Sequence, residues 1–274
     1  MPKVSVLTPI YNTNHDYLKE MIESILNQTF TDFEFIILND SPQNQELKNI
    51  VISYQDPRII YLENKTNLGI SGSRNRLLKE AKGEYVAIFD HDDVSMPTRL
   101  QKEVDVLDQN SDIGVVSSNF VEYYSKKTTN YPINNIDIKS ELVNRGCVVC
   151  HPAAMIRRNI LVDNNICWED EYSPCEDYML WAKLVGKTMF YNIKEPLLRY
   201  RDHLSNTTHI KQEKMSDKSE LIKNYTLKEY PNYVNRNINY SLFGFIPLLR
   251  IKKYGNKTKY LLFGFLPIVS SKRS

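Results

Sequence analysis

"YVAIFDHDDVSMPTRL", residues 85–100, decides the fold. The apolar run Tyr85–Phe89 reads as a buried strand, and it ends in Asp90, Asp92 and Asp93, broken only by His91. Carboxylates this close repel one another and resist burial unless a cation or a donor-rich ligand joins them. Such a strand end asks for a metal, a proton or a partner. Downstream, Pro97 is placed in the first turn of a helix running to about Leu107, where its missing N–H costs little.

Upstream, "KVSVLTPIYN" reads as a first buried strand ending at Pro9. Leu18, Met21, Ile22, Ile25 and Leu26 then fall on one face of a helix, capped by Asn14 or Asp16. "DFEFIILND" is a second strand, Leu47, Ile50, Val51 and Tyr54 mark a second helix, and "RIIYLEN" is a third strand. "SGSRNRLLKEAKG" is a helix stopped by Gly83. Strand and helix thus alternate up to Leu107, the pattern of an α/β fold with a mostly parallel sheet and helices on both faces. Such sheets bind ligands beyond the carboxyl ends of their strands, so Pro9–Asn12, Asn39–Ser41 and Asp90–Asp93 should converge on one crevice.

The second half is less regular. "DIGVVSSNFVEYY" is a strand, "HPAAMIRR" a short strand entering a helix, and "CEDYMLWAKLVGK" a helix, while "TMFYNI" and "PLLRYRDH" read as two further strands. Together they suggest an extension of the sheet that forms the other wall of the crevice.

At 274 residues, with 42% hydrophobic and 25% charged residues, the chain has the composition of an ordinary globular protein with a sizeable core. The net charge is +2, but residues 231–274 hold eight Lys or Arg and no Asp or Glu, leaving the first 230 residues at −6. This charge gives no reason to expect a nucleic-acid partner. No secretory signal is visible in "MPKVSVLTPIYN", and no stretch reaches the roughly 18 apolar residues of a spanning helix, so a cytoplasmic location is expected. Cys147, Cys150, Cys167 and Cys175 fit a reducing compartment. The C-x-x-C spacing of "CVVC" allows a zinc site, but the valines between look like strand, and buried thiols are the better reading.

Several segments carry possible chemistry. Hard divalent cations are often held by one or two carboxylates plus substrate phosphates, which D-x-D at a strand end could supply; equally, acidic loops are often just solvated or capping a helix. "NLGISGSRN" (67–75) offers Gly69 and Gly72 for close backbone approach and Arg74 as a fork for phosphate or carboxylate. It is neither G-x-G-x-x-G nor a P-loop. Glu176 and Asp177 open an apolar helix, where they either complement its dipole or take a proton from a hydroxyl. His203 sits among polar residues and by itself decides nothing.

Taken in order, "VSVLTPIYN", "ND", "NLGISGSRN", "YVAIFDHDD", "HPAAMIRR", "CEDYMLW" and "LRYRDHLSN" resemble glycosyltransferase family 2, over about residues 3–207. Each motif is modest; the ordered set is specific. The resemblance implies a GT-A (Rossmann-like) fold and inverting transfer of a sugar, usually from a UDP-sugar, to a hydroxyl of an oligosaccharide or lipid-linked glycan, as in lipopolysaccharide, capsule or other surface polysaccharide synthesis. It implies Mn²⁺ or Mg²⁺ on Asp92 and His203. Pro9, Tyr11 and Asp40 would border the base. Asn67, Gly69, Arg74 and Asn75 would lie near the ribose or diphosphate, and Asp90 and His151 near ribose and sugar. Asp177 matches the catalytic base and Glu176 its neighbour. A sugar nucleotidyltransferase would normally carry a Gly-rich segment with Arg and Lys after the first strand, where "PIYNTNHDYL" stands here. A catalytically silent glycan-binding or scaffolding protein on the same fold remains an alternative.

The division expected is a catalytic domain over 1–230 and a basic extension over 231–274. In the extension "YSLFGFIPLLRIKK" (240–253) and "YLLFGFLPIVSSKR" (260–273) repeat at a period of 20. Aromatics beside cations suit a peripheral contact with anionic lipid at the inner face of the cytoplasmic membrane, built from short extended segments or a hairpin. Packing on the catalytic domain or oligomerisation would explain the repeats equally well.

Overall fold

The computed structural model describes residues 1–204, 206 and 210–234, together with the backbone of strands within 236–242, 246–254, 257–262 and 266–272. Four parallel strands, β1 (Val4–Ile10), β2 (Phe33–Asn39), β3 (Ile59–Glu63) and β4 (Tyr85–Ile88), lie in the order β3-β2-β1-β4. The sheet continues through β7 (Met155–Arg157), β6 (Ile113–Glu122), β8 (Met189–Tyr200) and β5 (Val94–Ser95). β7 runs antiparallel to β4 and β6, β6 parallel to β8, and β5 antiparallel to β8. Every residue of β1, β2 and β4 is buried, as a sheet covered on both faces requires.

Alternate side chains of these strands feed two core layers. Val6, Phe35 and Ala87 pack with Leu18 and Met21 of α1 (His15–Leu26), Leu47 of α2 (Gln45–Ser53) and Leu100 of α4 (Arg99–Gln109). Leu7, Ile36 and Val86 pack with Leu77 of α3 (Gly69–Glu80), Leu142 of α5 (Asn135–Asn144), Trp181 of α7 (Glu176–Leu184) and Ile222 of α8 (Gln212–Glu229). A short α6 (Arg158–Asp163) follows β7.

Of the two caps expected for α1 the structure has Asn14, whose side chain accepts from the N–H groups of Asp16 and Tyr17. Several other local expectations need correction. α3 has ended by Ala81, whose backbone is extended, so Gly83 does not stop it. Gly83 is required instead by close approach to β1, since a Cβ there would lie 2.5 Å from the Ser5 nitrogen. Pro97 precedes α4 rather than sitting in its first turn. "TMFYNI" and "PLLRYRDH" belong largely to one strand, β8, with register shifts beside Pro196, a position where the missing N–H is tolerated.

At the back of the carboxyl-end loops, Arg99 and Glu103 form an ion pair wholly out of solvent. Arg99 Nη2 also donates to the Ile88 carbonyl at 2.8 Å, tying α4 to the end of β4, and burial pushes the Glu103 carboxyl up to about 7. Arg99→Ala should cost about 3 kcal/mol, read as a lower urea midpoint. The loss should be greater at pH 8 than at pH 5, where a stranded Glu103 takes up a proton.

A separate antiparallel sheet, in the order β12-β11-β10-β9, comprises β9 (Arg236–Leu242), β10 (Ile246–Tyr254), β11 (Lys257–Leu262) and β12 (Leu266–Lys272). The first sequence repeat contributes to β9 and β10, the second to β11 and β12. Lys252 stands opposite Lys259, and Leu249 opposite Leu262. The side chains of 235–274, and with them the expected lipid contact, lie outside the described residues. Among the described residues no helix is long and apolar enough to cross a membrane.

Candidate active site

The ends of β1 and β2 form one border of the crevice. Pro9 is buried in β1, while Tyr11 just beyond it is 52% exposed. The two ends are stitched by Asp40 N–H donating to the Ile10 carbonyl and Asn12 N–H to Ser41 Oγ. Asp40 is buried, and its Oδ1 accepts from Asn64 Nδ2 at 2.6 Å and Leu68 N–H at 2.8 Å. Its Oδ2 makes no hydrogen bond among the described residues, so one oxygen is fixed and the other remains available. Asn67 donates to the Asp40 carbonyl and accepts from Gly69 N–H. Gly69 has φ of 71°, a left-handed turn into α3 that favours glycine.

From α3, Arg74 reaches the middle of the crevice. Its Nη2 donates to Asp90 Oδ1 at 2.9 Å and its Nη1 to Glu176 Oε1 at 3.0 Å, joining the end of β4 to the start of α7. With its side chain only 7% exposed, the guanidinium is a fixed cation between two carboxylates. Glu176 Oε2 and Arg74 Nε are buried without a partner among the described residues, spare polarity a bound ligand could satisfy. Asp177, next along α7, accepts its neighbour Tyr178's N–H on Oδ1 at 2.7 Å. Burial first, then repulsion from Glu176, pushes its carboxyl up to about 6, with Arg74 opposing. A carboxylate with that affinity for protons suits a general base near neutral pH.

Asp92 and His203, 111 residues apart, meet with Oδ2 and Nε2 separated by 3.0 Å. β5 brings them together: the loop carrying the aspartates runs into Val94–Ser95, which pair with Leu198 and Arg199 of β8. Asp93 completes the fastening, its Oδ1 accepting from Arg201 N–H at 2.8 Å. Burial, with Asp92 and Asp90 adding repulsion, pushes the Asp93 carboxyl well above its usual range. Asp93 therefore anchors the strand that delivers His203. The two are within hydrogen-bond distance of each other, and a carboxylate oxygen beside an imidazole nitrogen is a donor set that a divalent cation such as Mn²⁺ accepts. Among the described residues no three His, Cys, Asp or Glu gather as a metal cluster. The four cysteines are free thiols, and burial pushes Cys150 well up and Cys175 up to about 11.

The third wall is held by a relay. Asn75 spans the Trp168 backbone, donating to its carbonyl at 2.7 Å and accepting from its N–H at 2.9 Å. The Trp168 indole N–H donates to His151 Nε2 at 3.0 Å. Burial, reinforced by Arg74, holds His151 well below its usual range and hence neutral. Asn75 thus holds the Trp168 backbone at both ends of its amide. Sequence reasoning missed Asn64, Trp168 and Arg201; only Arg201 carried a signal, as part of "YRDH".

The fold resembles that of Staphylococcus aureus TarS residues 1–349 in complex with UDP-GlcNAc, with a TM-score of 0.68 at 21% identity, over 84% of this chain and 72% of that one. The mannosyltransferase PcManGT of Pyrobaculum calidifontis, in complex with GDP-Man and Mn²⁺, aligns with a TM-score of 0.58 at 17% identity, over 76% of this chain and 59% of that one. The fold is GT-A. Residues 5–163 match Glycosyl transferase family 2. An uncharacterized glycosyltransferase of Methanocaldococcus jannaschii is 33% identical over 84% of this chain and 79% of its own length. One from Haemophilus influenzae is 29% identical over 91% and 80%. The chain belongs to glycosyltransferase family 2 and is a glycosyltransferase.

Proposed function

We propose that the enzyme transfers a hexose or N-acetylhexosamine from a UDP-sugar to a hydroxyl of a glycan acceptor, with a divalent cation and inversion at the anomeric carbon, in surface polysaccharide synthesis. The observation that carries this is the meeting of Asp92 with His203 at 3.0 Å on the strand-end loop that also presents Asp90 to Arg74. That UDP-GlcNAc binds TarS and that GDP-Man and Mn²⁺ bind PcManGT supports a nucleotide-sugar donor and a metal.

In this reading Asp40 Oδ2 accepts the imide N–H of uracil beside Tyr11. Asp90 and Arg74 face ribose and diphosphate, and Glu176 and neutral His151 border the sugar. Asp92 and His203 would hold Mn²⁺ or Mg²⁺, which when bound stabilises negative charge on the departing phosphate. Asp177 takes the proton of the acceptor hydroxyl as it attacks. One base suffices for a single displacement, and no nucleophilic carboxylate is needed, which predicts inversion.

The test is a panel of UDP-sugars assayed for Mn²⁺-dependent UDP release with glycan acceptors. Release with one donor, and a product of inverted configuration, is expected. Metal-dependent UDP binding without release from any donor would favour the silent binding protein, and formation of a nucleotide-sugar from sugar phosphate the nucleotidyltransferase.

We place the catalytic unit at 1–230 on the cytoplasmic face and assign 231–274 a peripheral contact with anionic lipid, from its eight cations and paired aromatic repeats. The full chain should sediment with phosphatidylserine vesicles, and a chain ending at Arg236 should not. Equal sedimentation would remove the lipid assignment.

A further inference from the structure

Arg201 is a heavily engaged side chain near the crevice that has no part of its own in the transfer. Its guanidinium carbon lies 4.1 Å from the ring centroids of both Tyr17 and Tyr123, a cation between two aromatic faces. Nε donates to the main-chain carbonyl of Asp92 at 2.7 Å, and Nη2 to Glu20 Oε2 at 2.7 Å. Glu20 also accepts from Tyr123 OH at 3.2 Å, and the Arg201 N–H is the one held by Asp93. The Arg201 side chain is only 3% exposed. The Tyr17 ring, besides covering Arg201, lies 5.6 Å from the His203 ring.

Arg201 therefore touches one arm of the candidate metal pair directly and reaches the other through Tyr17. It grips the backbone of Asp92 directly, it stands two residues before His203, and its aromatic partner packs on the His203 ring. We propose that Arg201 is the positioning residue of the Asp92 and His203 pair, with Tyr17, Glu20 and Tyr123 as its frame, so that the metal geometry is set from α1 and the end of β6. The inference rests on the metal reading above. Lysine should not replace it, because a point charge has neither the planar face for two rings nor the fork for Asp92 and Glu20 together.

The experiment is titration of Mn²⁺ into the full chain at saturating UDP, with free Mn²⁺ followed by electron paramagnetic resonance, alongside thermal unfolding without metal. Arg201→Lys should weaken Mn²⁺ binding by about tenfold or more, the usual effect of losing an outer-shell partner. Glu20→Gln should weaken it by about tenfold on the same grounds and should still fold, the Glu20 side chain being 44% exposed. Glu84→Gln, an exposed partner of Lys3, is the control and should change nothing. Should Arg201→Lys fail to fold, Glu20→Gln carries the test. Wild-type Mn²⁺ affinity in Glu20→Gln, or in a folded Arg201→Lys, overturns the inference while leaving the metal reading standing. No Mn²⁺ uptake by the wild type overturns both.

Discussion

Asp177→Asn is expected to lower kcat by about 10³-fold, within the range of a lost general base, while leaving UDP affinity unchanged. The substitution keeps shape and removes the group that accepts the acceptor's proton; Asp40, Arg74, Asp90 and the Asp92 and His203 pair are untouched. It should also stabilise the fold. The Asp177 carboxyl is pushed from 3.8 up to about 6, so the folded state holds its proton more tightly than the unfolded state. The group's favourable contribution is complete below the unfolded value and is lost as pH rises through about 6, leaving ionised Asp177 a burden at pH 7. Two units correspond to about 2–3 kcal/mol, an upper figure. Asparagine carries no such burden, so its unfolding midpoint should exceed the wild type's at pH 7 and converge with it near pH 4. In the wild type, kcat/KM should fall as pH drops through about 6. Unimpaired transfer in Asp177→Asn would remove the base from this residue.

Asp92→Ala should fail differently. It removes one of the two ligands proposed for the cation, so Mn²⁺-dependent UDP binding should weaken at least tenfold, on the order of an outer-shell loss or greater, and transfer should fall with it. Metal-independent contacts at Asp40 remain, so residual UDP binding should lose its response to Mn²⁺. Isothermal titration with and without Mn²⁺ separates the two variants: Asp177→Asn retains the metal effect and Asp92→Ala loses it. Retention of the metal effect in Asp92→Ala would place the cation elsewhere.

The first half of the fold is legible because β1, β2 and β4 are buried on both faces and read as continuous apolar runs, while α1 shows a clear helical stripe. α8 was not legible: over its eighteen residues only Ile222 and Thr226 are buried, too few to show a period. α5 shows no clear stripe, because Lys139 and Ser140 are buried beside Ile138, Leu142 and Val143. β8 read as two strands because Pro196 interrupts it.

In the site, side-chain types could be matched to a motif, but their supports could not. The pairing of Asp92 with His203 depends on a two-residue strand, β5, below any sequence period. Asn75, expected near the ribose or diphosphate beside Arg74, also holds the Trp168 backbone, a contact 93 residues away that no local pattern shows. Asp93, the aspartate with no assigned role, became intelligible only through Arg201, 108 residues away.

A crystal structure of the full chain with UDP and Mn²⁺ should show Mn²⁺ on Asp92 and His203 beside diphosphate oxygens, the uracil imide on Asp40, and Asp177 facing open space on the acceptor side. A diphosphate bound away from Asp92, or Mn²⁺ bound without His203, would contradict this placement.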